Sequence, residues 1–368
     1  MFLKSISIRD YKELDSIRFL SIFLVVLHHQ FLDQNSFLTW LKTYGWVGVD
    51  IFFVMSGFLI TTLLLKEFQT ENKIAFKKFW IKRIFRLWPS WLITLTISSA
   101  LVYKLGQNNS EISNELKNKW WHYYLHFGNY SHAIFDKLHT LFSHFWSLAV
   151  EEHFYLVWPL LFYIIHRFKK ISPLAWFVLL FAPYAFRVYH YNQIDSYAFI
   201  KLSTHTRFDE LIIGCLLAHI YPKLDSKLKP TTEVFLSILT LAFFYLGLHV
   251  LHHEKIVFWL SELCYLFIGL ASSLLIIISL KGNSWGIRKL LQIDFISKLG
   301  ILSYGVYLVH FITNFLFYGI LKKLNIQLDH NLIALCTFSI PFIPAYFLYK
   351  FVDQPFGKIK EKWISHKS

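Results

Sequence analysis

Arg18 and His29 stand at the two ends of one apolar stretch, RFLSIFLVVLHH, and their types and spacing are what in this chain most clearly suits chemistry. Eleven residues of α-helix rise about 16 Å and rotate the side chain by a net of about 20°, so both groups project from one helical face. A cation near one end of a helix is thereby aligned with an imidazole deep along it. Ionisable groups inside a bilayer cost on the order of 3 kcal/mol and usually line a polar cavity, so such a column reads as functional. A snorkelling arginine and a hydrogen-bonded core histidine would leave the same pattern.

Four further clusters carry polar chemistry on an apolar background. GVDIFFVMSGFLI sets Asp50 into the outer half of the second apolar run, where an acid needs a partner, and its Ser56–Gly57 pair allows another helix to approach closely. KKFWIKRIFRLWP places Arg83 and Arg86 three residues apart on one helical face, two guanidinium forks suited to phosphates beside a membrane. A basic juxtamembrane run also serves as a plain topogenic signal. FWSLAVEEHFY brings Glu151 and Glu152 about two turns into the fourth run, and one of the two must point inward. RFDELIIG adds Arg207 and Asp209 on the outer side of the sixth. Asp50, Glu151, Arg207 and Asp209 would then gather around His29, although a structural salt-bridge network would produce the same letters.

The elements that must position these groups follow from composition. With 55% hydrophobic, 19% aromatic and 16% charged residues over 368 positions, the chain is an all-α polytopic membrane protein and no ordinary soluble globule. Candidate spans are residues 17–37, 47–65, 88–105, 145–165, 173–191, 207–221, 234–251, 257–280, 296–321 and 332–351. That makes about ten transmembrane helices, two of them, the first and sixth, with apolar runs short of the ~20 residues a bilayer asks for. Lys and Arg concentrate in alternate loops, which sets both termini in the cytoplasm. The net charge of +14 is then chiefly topogenic, and no basic soluble domain exists to bind nucleic acid.

The first apolar run lacks a cleavage site and reads as a retained span. Cys215, Cys264 and Cys336 lie singly in apolar runs and read as buried small hydrophobes. Residues 106–144 form the longest polar insert, a lid or vestibule on the outer face. Its His122 and His126 are spaced as metal ligands, but no carboxylate or thiol completes a set, and no metal is expected. Trp40, Trp46, Trp120, Trp121, Tyr123 and Tyr124 could stack on sugars or form an interfacial belt.

Taken in order, LDSIR…H, GVDIFFVMSGFLI, FWIKRIFRLWPSW, FWSLAVEEHFYLVWP, RFDELIIG, LGILSYGVYLVHF and VDQPF resemble the acyltransferase 3 family of integral-membrane acyltransferases, over residues 14–355. The resemblance implies a single membrane domain, 1–368, in the cell's inner membrane, without the extra soluble domain that many relatives carry. It implies transfer of an acyl group, usually acetyl, from cytoplasmic acyl-CoA to a hydroxyl of a cell-surface glycan or lipid. Carried over residue by residue, His29 is the base or acyl carrier, Glu151 and Asp50 assist it, Arg18, Arg83 and Arg86 hold the donor, and Arg207 and Asp209 meet the acceptor. His310 in LGILSYGVYLVHF is the second candidate for the catalytic histidine. The competing function is a secondary transporter or lipid flippase, which intramembrane Arg, Asp, Glu and His would serve equally; the missing inverted repeat argues against it. A non-catalytic scaffold would not need the Arg18 and His29 register.

Overall fold

The computed structural model describes residues 11–30, 37–106, 120–134, 140–167, 173–194, 196–250, 257–283 and 286–365. All regular structure among them is helical, one of the two arrangements, with the closed β-barrel, that satisfy every backbone group where no water is present. The main helices are α1 (Lys12–His28), α2 (Val47–Glu71), α3 (Phe76–Gly106), α4 (Phe145–Arg167) and α5 (Pro173–Tyr191). They continue with α6 (Asp209–Ile220), α7 (Pro230–Tyr245), α8 (Cys264–Lys281), α9 (Ser303–Leu324) and α10 (His330–Ser339). Residues 107–119 and 135–139 of the insert at 106–144, on which the lid reading depends, lie outside the described residues.

Seven helical runs among the described residues are long and apolar enough to cross a membrane: Leu41–Glu71, Phe76–Leu105, Phe145–Arg167, Pro230–His249, Phe258–Lys281, Ser303–Leu324 and His330–Ile364. Three of the spans expected from sequence are not among them. Helix α1 has 17 residues and α6 has 12, which at about 1.5 Å per residue fall short of a ~30 Å hydrocarbon core. The third, α5, carries Arg187 and His190 in its last two turns. Outward-facing Phe235, Ile238 and Leu241 on α7 reverse the soluble pattern, with Leu241 70% exposed, as a lipid-facing surface requires.

The chain gathers into two units. One comprises Met1–Ser21, Val47–Ile74 and His153–Ile301; the other comprises Ile22–Trp46, Ala75–Glu152 and Leu302–Ser368. Within the first, α2 and α6 pack with almost no gap. A Cβ on Gly57 would lie 2.0 Å from the Leu211 carbonyl oxygen, and one on Gly214 would lie 2.0 Å from that of Val54. Each helix thus supplies the small residue that admits the other's backbone, as the Ser56–Gly57 pair suggested. The Trp158 indole donates to Thr61 Oγ1 at 2.8 Å, fixing α4 to α2. The start of α1 is held by Arg288 and Gln292, which donate to Glu13 at 3.0 and 2.8 Å.

Within the second unit, α9 lies against the turn that opens α4. Tyr307 Oη donates to the His144 carbonyl at 2.7 Å and stands 2.5 Å from Ser147 Oγ. Ser90 of α3 donates to Asp353 at 2.5 Å, which places the VDQPF element beside α3. Tyr304 Oη donates to the Leu87 carbonyl at 2.8 Å and joins α9 to the same helix.

Candidate active site

His29 follows the last residue of α1, and its N–H still reaches the Val25 carbonyl at 3.3 Å, so α-helical register runs from Arg18 through to His29. The two residues fall in different units: Arg18 in the first, His29 in the second. Arg18 is half-buried and ion-paired with Asp15, one turn back on α1. His29 Nδ1 lies 3.3 Å from His310 Nε2, and Phe311 packs on the His29 ring with centroids 4.6 Å apart. Among the described residues His29 Nε2 has no hydrogen-bond partner. His28, its neighbour in sequence, turns its Nδ1 to the Lys42 carbonyl at 2.8 Å. Of the two adjacent histidines, His28 is thus bound to backbone, and His29 has one ring nitrogen without a partner among the described residues.

Glu151 and Glu152 line a small cleft in the same unit, together with Leu87, Trp88, Trp91, His126, Leu148 and Tyr304. Trp88 Nε1 donates to Glu152 at 3.3 Å. Both carboxylates thus face one cleft, where one inward residue was expected from the sequence. His126 stacks on Trp91 with centroids 4.0 Å apart and planes 19° from parallel. Its backbone is left-handed, with φ 58°, at the end of the helical turn beginning at Trp120. The N–H of Phe127 returns to the His122 carbonyl at 2.6 Å and that of His126 to the Tyr123 carbonyl at 3.1 Å, a Schellman ending in which glycine is the usual residue. A histidine in that conformation costs on the order of 1 kcal/mol, offset here by the ring's seat on Trp91. The His122 and His126 spacing that suggested a metal pair is thus the spacing of a helix end. Among the described residues no group of three His, Cys, Asp or Glu is arranged to hold a metal.

Arg83 and Arg86 lie on α3 a turn before this cleft, and Leu87, four residues after Arg83, is part of its lining. Arg86 is exposed, while Arg83 is half-buried with its guanidinium over Phe79 and near enough to Glu152 for their charges to interact. One helix therefore carries both the phosphate-type cations and the aromatic wall.

The first unit holds the remaining groups as a buried ionic network. Arg207 pairs with Asp50 and lies 3.4 Å from Glu210. Arg187 pairs with Asp209 at 2.7 Å and with Glu262 at 2.9 Å, and Lys201 pairs with Glu262 as well. Both guanidinium groups sit on the Tyr265 ring, at 4.6 Å for Arg187 and 4.1 Å for Arg207. Asp50 thus has the partner its burial demanded, and Arg207 and Asp209 meet through shared neighbours. Glu151 belongs to the other unit. Arg187, Lys201, Glu262 and Tyr265 were not singled out from the sequence. The available signal was a lone cation or acid in each of two apolar runs.

A family model described as an acyltransferase domain matches residues 11–350. The chain belongs to the acyltransferase 3 family. Its seven long apolar helical runs among the described residues are those of a multi-pass membrane protein. O-acetyltransferase OatA of Staphylococcus aureus strain NCTC 8325 is 27% identical, the match covering 96% of this chain and 58% of the relative. The OatA protein of strain COL matches to the same extent. A protein of strain MRSA252, named provisionally as an O-acetyltransferase, is 27% identical over 100% of this chain and 60% of its own length. The chain thus spans about 60% of the length of these relatives. No solved structure matches it.

Proposed function

We propose that the protein is a membrane O-acetyltransferase, a single domain of the cell's inner membrane that moves acetyl from cytoplasmic acetyl-CoA to a hydroxyl of a surface glycan or lipid. The observation that carries this reading is the family match over nearly all of the chain together with a half-buried histidine whose Nε2 has no partner among the described residues. In the proposed reaction His29 Nε2 takes the proton of the acceptor hydroxyl while its oxygen attacks the thioester carbonyl. The C–S bond breaks, and the same nitrogen returns the proton to the thiolate of coenzyme A. Imidazole is suited to both transfers near neutral pH.

Arg83 and Arg86 are assigned to the phosphates of the donor, joined by Arg18 on the family resemblance. Guanidinium forks make charge-assisted, bidentate bonds to phosphate oxygens. Glu151 is assigned to the reacting centre from its place in the cleft beside that basic turn. Arg207 and Asp209 are assigned to the acceptor on the resemblance, and Asp50 to assisting the base on the same ground; buried pairs hold all three in position. The O-acetyl names of the Staphylococcus relatives support the acetyl donor and the hydroxyl acceptor.

Chemical analysis of ester groups on surface glycans, with and without the gene, tests the reading. Cells carrying the wild-type gene should show O-acetyl esters that are missing without it. His29→Ala should leave the esters at the level of the gene-free cells. Unchanged esters in every strain would refute the assignment and favour a transport function.

A further inference from the structure

We propose that His310 is a positioning residue that fixes the proton of His29 on Nδ1 and so leaves Nε2 as the nitrogen that reacts. The proposal rests on the assignment of His29 as the reacting group. Its starting point is the Nδ1 of His310, which lies 2.6 Å from the Tyr307 carbonyl oxygen. A carbonyl only accepts, so this nitrogen carries a proton. His310 is fully buried, and among the described residues no carboxylate is in contact with it, so a doubly protonated ring would be an uncompensated charge. A neutral ring protonated on Nδ1 has a bare Nε2. That nitrogen faces His29 Nδ1 at 3.3 Å, and the pair makes a hydrogen bond only if His29 donates. The proton order is therefore Tyr307 C=O, H–Nδ1 of His310, Nε2 of His310, H–Nδ1 of His29. It leaves the lone pair of His29 on Nε2.

Flipping the His310 ring would turn carbon toward both the Tyr307 carbonyl and His29 and lose both bonds, so geometry fixes orientation as well as tautomer. The backbone that presents the Tyr307 carbonyl is itself pinned, because the Tyr307 hydroxyl is bonded to the His144 carbonyl and stands beside Ser147. Phe311 lies against both rings, with centroids 4.6 Å from His29 and 4.5 Å from His310. His144 meets His310 edge-on at 5.1 Å. The same order stops His310 from relaying the proton. Passing the Nδ1 proton of His29 onward would give His310 two protons, and the one already on its Nδ1 faces the Tyr307 carbonyl, which cannot take it. The proton taken at His29 Nε2 must therefore leave from Nε2, toward the departing thiolate.

Two variants separate this from packing. Asn at position 310 keeps a donor near the Tyr307 carbonyl but has nothing at the Nε2 position; Gln reaches that position with an amide oxygen that accepts from His29. In full-length protein reconstituted in lipid, with acetyl-CoA and de-esterified surface glycan, His310→Asn should lower kcat at least about tenfold with KM for acetyl-CoA unchanged. His310→Gln should recover most of that loss. Equal effects of the two variants would overturn the proposal. Independently of activity, nitrogen NMR of the 15N-histidine-labelled wild type, with His29→Gln locating the signals by difference, should find His29 protonated on Nδ1 and bare on Nε2. The opposite tautomer would overturn it. Full turnover in His29→Ala would instead refute His29 as the reacting group and leave the NMR assignment standing.

Discussion

An imidazole can act as a base only through a nitrogen that holds no proton, and the surroundings of His29 decide which nitrogen that is. The helical period made the Arg18 and His29 register legible, because both ends of the relation lie on one element. The partner of His29 was not legible in the same way: His310 lies 281 residues away, and no local period links them. Sequence gave reason to expect a carboxylate at that position, Glu151 or Asp50, by analogy with catalytic triads. Among the described residues the ring partner is a second histidine. The arginines of α3 make a separate prediction at this scale. Arg83→Ala with Arg86→Ala should raise KM for acetyl-CoA by about 10–100-fold, the loss expected from charge-assisted phosphate bonds, and change kcat much less. Isothermal titration of acetyl-CoA onto the reconstituted protein checks this; undiminished affinity would remove both residues from the donor site.

Close approach and buried charge hold the elements of the first unit in register. Gly57 and Gly214 each face a backbone carbonyl across the α2–α6 contact, with no room for a side chain. Gly57→Leu or Gly214→Leu should therefore force the helices apart and lower the melting temperature or yield of folded protein, whereas Gly319→Ala, at a position with open space, should do neither. The ionic network obeys a different rule. Arg207→Ala leaves Asp50 buried without its cation and should cost about 3–5 kcal/mol; adding Asp50→Ala should recover part of it. A double variant losing the full sum would show that the two groups act on separate partners. The Ser56–Gly57 pair was readable as a packing device from composition alone. The Arg187 and Glu262 pairing was not, since each is a single charged letter in an apolar run whose partner sits on another element.

At the scale of the molecule, hydropathy made the helical, membrane-spanning class plain, and its limit is equally physical. Seven helical runs satisfy length and apolarity among the described residues, and the three further segments read as spans are short or carry charge. Periodicity reports that a segment is helical and apolar but not whether it crosses a bilayer. Orientation is a separate matter, read from Lys and Arg in the loops. Reporter fusions after Leu65 and at the C-terminus should read cytoplasmic and one at Asn109 external; a cytoplasmic signal at Asn109 would reverse the topology and the side from which the donor arrives. The central claim, that His29 transfers acetyl from a cytoplasmic donor to an external hydroxyl, is met most directly in sealed, oriented vesicles. Labelled acetyl-CoA is enclosed, de-esterified surface glycan is supplied outside, and labelled ester is counted on the glycan. The account predicts label on the external glycan with the wild type and a loss of at least about 100-fold with His29→Ala. Ester formed equally by the two proteins, or formed only when donor and glycan share the enclosed compartment, would contradict it.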